Sequence, residues 1–267
     1  MHLPNSKPKP ANWKVRLGCS TLFVALLFPI NAYASGDVTD PAASASPSPS
    51  PSLSAEPSPS PSSSPSPSAS LEPWPSIYDI DTASAVTVVV NKQRPLNPIN
   101  YVPKGKVKIG YVWAAKPAAD AYAKLKAAVS ANKLGTLCVN SGYRDYLTQT
   151  QIHSQKVRLL GLRAGEELAA RPGYSEHQTG LALDVSTVGL GCRIGSFGSS
   201  LASKWVAKNA WQYGFIVRYP YGKTKVTGYV WEPWHLRFVG VELASDMKAK
   251  KITTLEEYFT LPSAPTY

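Results

Sequence analysis

Long apolar runs are nearly missing from this chain. The one continuous stretch, Leu17 to Ile30, is 14 residues long and contains Pro29, short of the ~20 residues needed to span a bilayer comfortably. Cysteine is scarce, with three in 267 residues. Of these, Cys19 lies near the start of the apolar stretch, wrongly placed for lipid attachment behind it. Histidine is scarce too: of four, His2 precedes the apolar stretch, so imidazole chemistry rests on His153, His177 and His235. Acidic residues are outnumbered, 17 against 28 basic. There is no internal repeat, no nucleic-acid recognition motif, and no regular strand–helix alternation of the kind that builds a parallel sheet.

What is present falls into three compositional zones. Lys7, Lys9, Lys14 and Arg16 precede the apolar stretch, and Ala32-Tyr33-Ala34 follows it in the small-x-small pattern of a signal peptidase site. Residues 1–34 are expected to be an export signal cut after Ala34; left uncut, they would be an N-terminal membrane anchor. Residues 35–76 are dominated by Ser, Pro and Ala, and such a segment has no side chains for a core. Extended at ~3.1 Å per residue, it reaches on the order of 120 Å, either as a tether through a thick cell wall or as an inert, glycosylated spacer. Residues 77–267 are long enough for one domain with its own core.

Charge separates along the same boundaries. The first zone holds four basic and no acidic residues and the second four acidic and no basic, so the third keeps a net charge of about +11. A cationic domain outside the cell suits anionic wall polymers, and export argues against nucleic acid. Cys138 and Cys192 form an exported pair. A bridge between them would close a loop of ~55 residues, worth ~3–4 kcal/mol in the chain-entropy model; the alternative is two buried thiols.

Periodicity outlines the third zone. Lys116 to Ala131 predicts a helix with Tyr122, Leu125 and Val129 inward, and Thr136 to Val139 a short strand. Ser141-Gly142-Tyr143-Arg144 turns into a second helix from Asp145, its cap, to Leu160. A helical turn is expected at Glu166 to Ala170. Leu181 to Ser186 alternates as a strand, with Leu181, Leu183 and Val185 on one face and Asp184 on the other between small residues. A helix over Ser200 to Tyr213 is expected to turn Leu201, Ala202 and Trp205 inward. Phe215 to Val217 and Trp234 to Phe238 are strands, the latter with His235 and Arg237 on one side. A last helix spans Val239 to Lys250. This mixture predicts an α+β domain: a small antiparallel sheet flanked by helices, with a metal site on the sheet.

Two dense stretches carry the chemistry. Ser175-Glu176-His177-Gln178-Thr179-Gly180-Leu181-Ala182-Leu183-Asp184 and Glu232-Pro233-Trp234-His235 offer two imidazoles, one carboxylate ligand and a further glutamate. A catalytic zinc site needs three protein ligands, an open position and a nearby base. In a straight strand His177 and Asp184 would face opposite ways, so shared ligation requires a backbone break near Gly180. Pro233 disfavours a helix interior, and Glu232 with His235 is expected to straddle a turn entering a strand. Trp231, Pro233 and Trp234 would raise the pKa of Glu232 and suit it to proton transfer. His153, mid-helix, is read as an ordinary surface or hydrogen-bonded histidine.

Arg171 to Gly180, Asp184, Trp231 to Gly240 and Ser141 to Arg144 together resemble the signatures of the VanY-type D-alanyl-D-alanine carboxypeptidases, zinc peptidases of peptidoglycan stems. The resemblance runs from about Pro95 to Leu261 and includes Leu255-Glu256-Glu257-Tyr258. It implies one zinc ion per chain held by His177, Asp184 and His235, Glu232 as catalytic glutamate, and Arg144 as substrate arginine. Gln149 falls where that family has a glutamine, whereas Asp145 stands where it commonly has serine. Ser175 would contact the terminal carboxylate of the substrate or serve only as a turn residue. The expected activity is removal of the terminal D-Ala from D-Ala-D-Ala stem peptides, at or outside the cell wall. The alternatives are a stem endopeptidase, an L,D-carboxypeptidase, or a non-catalytic, zinc-stabilised wall-binding module that would have no need of Glu232.

Overall fold

The computed structural model describes residues 77–267; the export-signal and spacer assignments at 1–34 and 35–76 lie outside the described residues. Strand β1 (Lys106–Ile109) and strand β2 (Val112–Ala115) form an antiparallel hairpin. Helix α1 (Lys116–Ala131) follows directly, with Pro117 in its first turn, where a missing N–H costs nothing. Its inward stripe is Ala118, Tyr122, Leu125 and Val129, the last three as the helical period requires.

The main sheet has four strands in the order β3-β4-β6-β5, all neighbours antiparallel: β3 (Leu137–Ser141), β4 (Ala182–Thr187), β5 (Phe215–Tyr219) and β6 (Glu232–Phe238). The expected α+β fold is what forms. One face of the sheet is apolar: Val139, Leu183, Val185, Phe215, Leu236 and Phe238 pack with Leu125 and Val129 of α1. The other face carries Asp184, Arg218, His235 and Arg237, all buried.

Helix α2 (Tyr146–Leu160) begins at Asp145, whose side chain accepts a hydrogen bond from the Thr148 N–H, the capping role expected of it. Helix α3 (Leu162–Glu166) lies earlier than the turn expected over 166–170. The chain restarts helix at once after Gly161, a break at φ 78°, and Gly165 then sits against the Val157 backbone. Helix α4 (Leu201–Asn209) is capped by Ser200 and continues as a 3-10 turn to Tyr213. Its inward residues are Ala202, Val206 and Ala210, with Trp205 partly buried; Leu201 is exposed, against expectation. Leu201 is the first residue after the cap, so the i, i+4 row from Ala202 sets the buried face and leaves Leu201 outside it.

Helix α5 (Thr224–Thr227) precedes β6, and helix α6 (Val241–Ala249) and helix α7 (Leu255–Tyr258) bury Leu243, Met247, Leu255 and Tyr258 in a second apolar cluster. Cys138 of β3 is bonded to Cys192 with Cα atoms 5.9 Å apart, so the two thiols are a bridge. Among the described residues no helix is long and apolar enough to cross a membrane.

Candidate metal centre

The backbone break needed near Gly180 exists. Glu176–Thr179 is a 3-10 turn, and Gly180 stops it at φ 72°, in the left-handed region. A Cβ there would also approach the Ala115 nitrogen to 2.9 Å, so glycine is required twice over. The turn carries His177 and the strand after it carries Asp184, which removes the alternation that would otherwise separate them. A second irregularity serves the other motif. Between Leu236 and Glu232 the β5–β6 ladder slips, the three residues Pro233 to His235 of β6 opposing Arg218 alone of β5, and Glu232 and His235, three apart, end with side chains 3.6 Å from each other.

His177, Asp184 and His235 are buried, and one ligand atom from each lies within 4.8 Å of the others. His177 Nε2 is 3.3 Å from Asp184 Oδ2, and His235 Nδ1 is 3.3 Å from Asp184 Oδ1. The opposite nitrogen of His177, Nδ1, lies 2.7 Å from the Gly142 carbonyl oxygen. That carbonyl only accepts, so Nδ1 carries the proton and Nε2 turns a lone pair toward a carboxylate that also only accepts. Two acceptors facing each other call for a cation between them, and Asp184 Oδ1 is buried with no hydrogen-bond partner. On this chemistry the donor set fits a divalent metal of zinc type.

The electrostatics agree. Burial, together with Arg144, lowers the His177 pKa to about 4, so the imidazole is neutral near pH 7. Burial also opposes charge on His235, yet Asp184 and Glu176 outweigh it and raise this pKa to about 9. The same carboxylates would favour a dication. For Asp184, burial pushes upward, but the two histidines hold the carboxyl below its ordinary range. Glu232 differs from all of these: burial, with Asp184 adding, raises its pKa to about 8, against the pull of His235 and Arg144.

Arg144 follows β3, where its N–H donates to the His177 carbonyl oxygen. Its guanidinium lies within electrostatic reach of Asp184 and Glu232, and its Nε is buried without a hydrogen-bond partner. Ser175 is buried at the start of the 3-10 turn, its carbonyl accepting from Gln178 N. Gln149 is buried on α2 and donates to the Ala170 carbonyl oxygen at 2.7 Å. His153 faces Glu166 at 3.6 Å.

Sequence reasoning missed what stands behind His235. Glu176 Oε2 is 3.4 Å from His235 Nε2, while its Oε1 accepts from Arg218 Nε at 2.7 Å and Arg237 at 2.8 Å. Arg218 in turn forks onto both oxygens of Glu256, at 2.7 and 2.8 Å. Two arginines and two glutamates, all fully buried, thus balance one another beneath His235. A carboxylate behind a ligating histidine orients the ring and strengthens it as a donor. The one signal available was the polar face of β6, where Arg237 shares a side with His235.

Known proteins share this arrangement of chain. A family model described as VanY, D-alanyl-D-alanine carboxypeptidase, matches residues 112–241, which span both motifs. YodJ of Bacillus subtilis strain 168 is 43% identical over 192 residues, covering 67% of this chain and 69% of that protein. Among solved structures, the LdcB LD-carboxypeptidase is 41% identical, with a TM-score of 0.61 over 67% of this chain and 87% of that one. A mutant of the vancomycin-resistance D,D-pentapeptidase VanY, solved in complex with Zn(II), is 31% identical, with a TM-score of 0.55 over 64% and 97%. With identity this high across most of the related chains, the protein belongs to the VanY-type carboxypeptidase family.

Proposed function

We propose that this protein is a zinc-dependent D,D-carboxypeptidase that removes the terminal D-alanine from peptidoglycan stem peptides outside the cell. The observation that carries the reading is the pairing of a three-ligand group with a buried glutamate of raised pKa beside it. A zinc ion held by His177, Asp184 and His235 would supply Lewis acidity toward the scissile carbonyl and its attacking water. Glu232, 3.6 Å from His235, accepts the proton of that water in its ionised form and delivers it to the leaving amine. Arg144, a fixed cation with an unused donor, stabilises the developing oxyanion. Glu176 keeps His235 oriented. Ser175 and Gln149 are assigned to substrate contact, the former toward the terminal carboxylate.

Residues 1–34 serve in this reading as the export signal and 35–76 as the spacer, and the positive charge of the remainder favours anionic wall polymers as neighbours. A base has no use in a module that only binds, which weighs against a non-catalytic role. The likeness to an LD-carboxypeptidase supports a second reading, in which the same site cuts L,D bonds. Mass spectrometry of two stem peptides separates them, a pentapeptide ending in D-Ala-D-Ala and a tetrapeptide ending in an L,D bond, each with and without chelator. Chelator-sensitive loss of one alanine from the pentapeptide supports the first reading; cleavage of the tetrapeptide alone selects the second, and an internal cut an endopeptidase.

A further inference from the structure

A clasp at the far end of the sequence joins the two motif segments. Tyr267 Oη accepts a hydrogen bond from the Arg171 N–H at 2.7 Å and lies 3.2 Å from Tyr229 Oη. Arg171 leads through Tyr174 to Ser175 and His177; Tyr229 leads to Glu232. The Tyr267 ring is covered by the Arg171 guanidinium at 4.2 Å and meets the Tyr174 ring edge-on at 5.2 Å. Nearby backbone is pinned as well. Ala264 N–H donates to the Val226 carbonyl oxygen at 2.8 Å, and buried Lys92 donates to those of Gly228 at 2.6 Å and Pro265 at 3.3 Å. The Lys92 ammonium lies over the rings of Tyr229 at 4.8 Å and Tyr267 at 5.5 Å. From Tyr229 the rings continue inward, to Tyr219 at 4.5 Å and from Tyr219 to His235 at 4.7 Å.

We propose that Tyr267 is a positioning residue for the hydrolysis: its hydroxyl fixes the Arg171–Ser175 segment against the Tyr229–Glu232 segment and so sets how the ligand His177 and the base Glu232 face each other. The proposal rests on the function given above. It acts through Arg171 and Tyr229, and a small misplacement of reacting groups costs rate more than it costs fold. A merely structural role, in which the ring only covers apolar surface, would be served equally by phenylalanine.

The test uses the full chain loaded with zinc. Tyr267→Phe keeps the ring and removes the shared hydroxyl; Tyr267→Ala removes both. Zinc content, kcat and KM on the stem pentapeptide, and amide hydrogen exchange read by mass spectrometry are measured together. Expected for Tyr267→Phe are full zinc content, faster exchange in both 171–177 and 229–232, and a kcat lower by about tenfold with KM changed less than about twofold. Tyr267→Ala shows the same pattern more strongly. Unchanged kcat in Tyr267→Phe, or faster exchange in neither or only one of the two segments, overturns the proposal. Should the wild-type chain leave the pentapeptide intact, the functional reading fails by itself, and the exchange measurement alone then decides for or against the clasp.

Discussion

Glu232 and Asp184 lie against the same histidine in opposite protonation regimes. Both are equally buried, but the histidines beside Asp184 keep it ionised, whereas burial, with Asp184 adding, raises the Glu232 pKa to about 8. One carboxylate is thereby suited to ligation and the other to carrying a proton. Arg144 completes the set as a cation whose Nε has no partner. Removing one such donor from an oxyanion site typically lowers kcat by about 10²–10³-fold. Arg144→Ala is expected to show a loss of that size while binding zinc stoichiometrically, since Arg144 is not a ligand. Metal content by mass spectrometry, with steady-state kinetics, checks this; zinc loss in the variant would instead make Arg144 a support of the ligands.

At the scale of elements, two breaks in regular structure make the centre. The left-handed Gly180 ends the 3-10 turn before β4, and the slipped ladder between β5 and β6 lets residues three apart share a side. Gly180→Ala would strain the backbone and press on Ala115, at a cost of order 1–3 kcal/mol. The expected outcome is a lowered urea midpoint together with weaker zinc retention, because the strain falls between His177 and Asp184, the proposed ligands. A midpoint equal to wild type would show that the turn tolerates a side chain there.

Much of this scale was legible in the sequence. The bounds of α1 followed from its Ala, Lys and Leu content and its inward stripe, and the alternation of β4 and β6 sorted core residues from site residues. The break at Gly180 was required by parity once His177 and Asp184 were assigned together. Less legible was the phase of α4, where Leu201 is more apolar than the buried Ala202 and only the cap at Ser200 decides that it faces water. The slip in the β5–β6 ladder had no sequence signature beyond Pro233.

Across the whole molecule, the concealed part was the charge network under the sheet. Glu176 pairs with Arg218 and Arg237 across 42 and 61 positions of sequence, and Arg218 with Glu256 across 38. No local pattern reports such pairs, because each residue taken singly looks like a surface charge. For Glu256, burial pushes the carboxyl upward, but Arg218 and Asn91 outweigh it and hold the pKa below the ordinary carboxylate range. A depressed folded-state pKa means that the pair stabilises fully above the unfolded value of about 4.3 and loses that stability as pH falls further. The gap in stability between wild type and Glu256→Gln is therefore expected to be constant from pH 7 to about pH 5 and to shrink below about 4.3. Urea denaturation at pH 7, 5 and 3.5 measures it; an undiminished gap at pH 3.5 would mean that the ion pair contributes nothing.

In the proposed site three ligands and a glutamate divide the labour, the ligands holding a metal and the glutamate moving a proton. Zinc content and pentapeptide turnover measured on the same preparations of wild type, Glu232→Gln and His235→Ala test this most directly. Expected are full zinc with turnover reduced by about 10²–10⁴-fold in Glu232→Gln, and loss of both in His235→Ala. Turnover equal to wild type in Glu232→Gln, or stoichiometric zinc in His235→Ala, would contradict it.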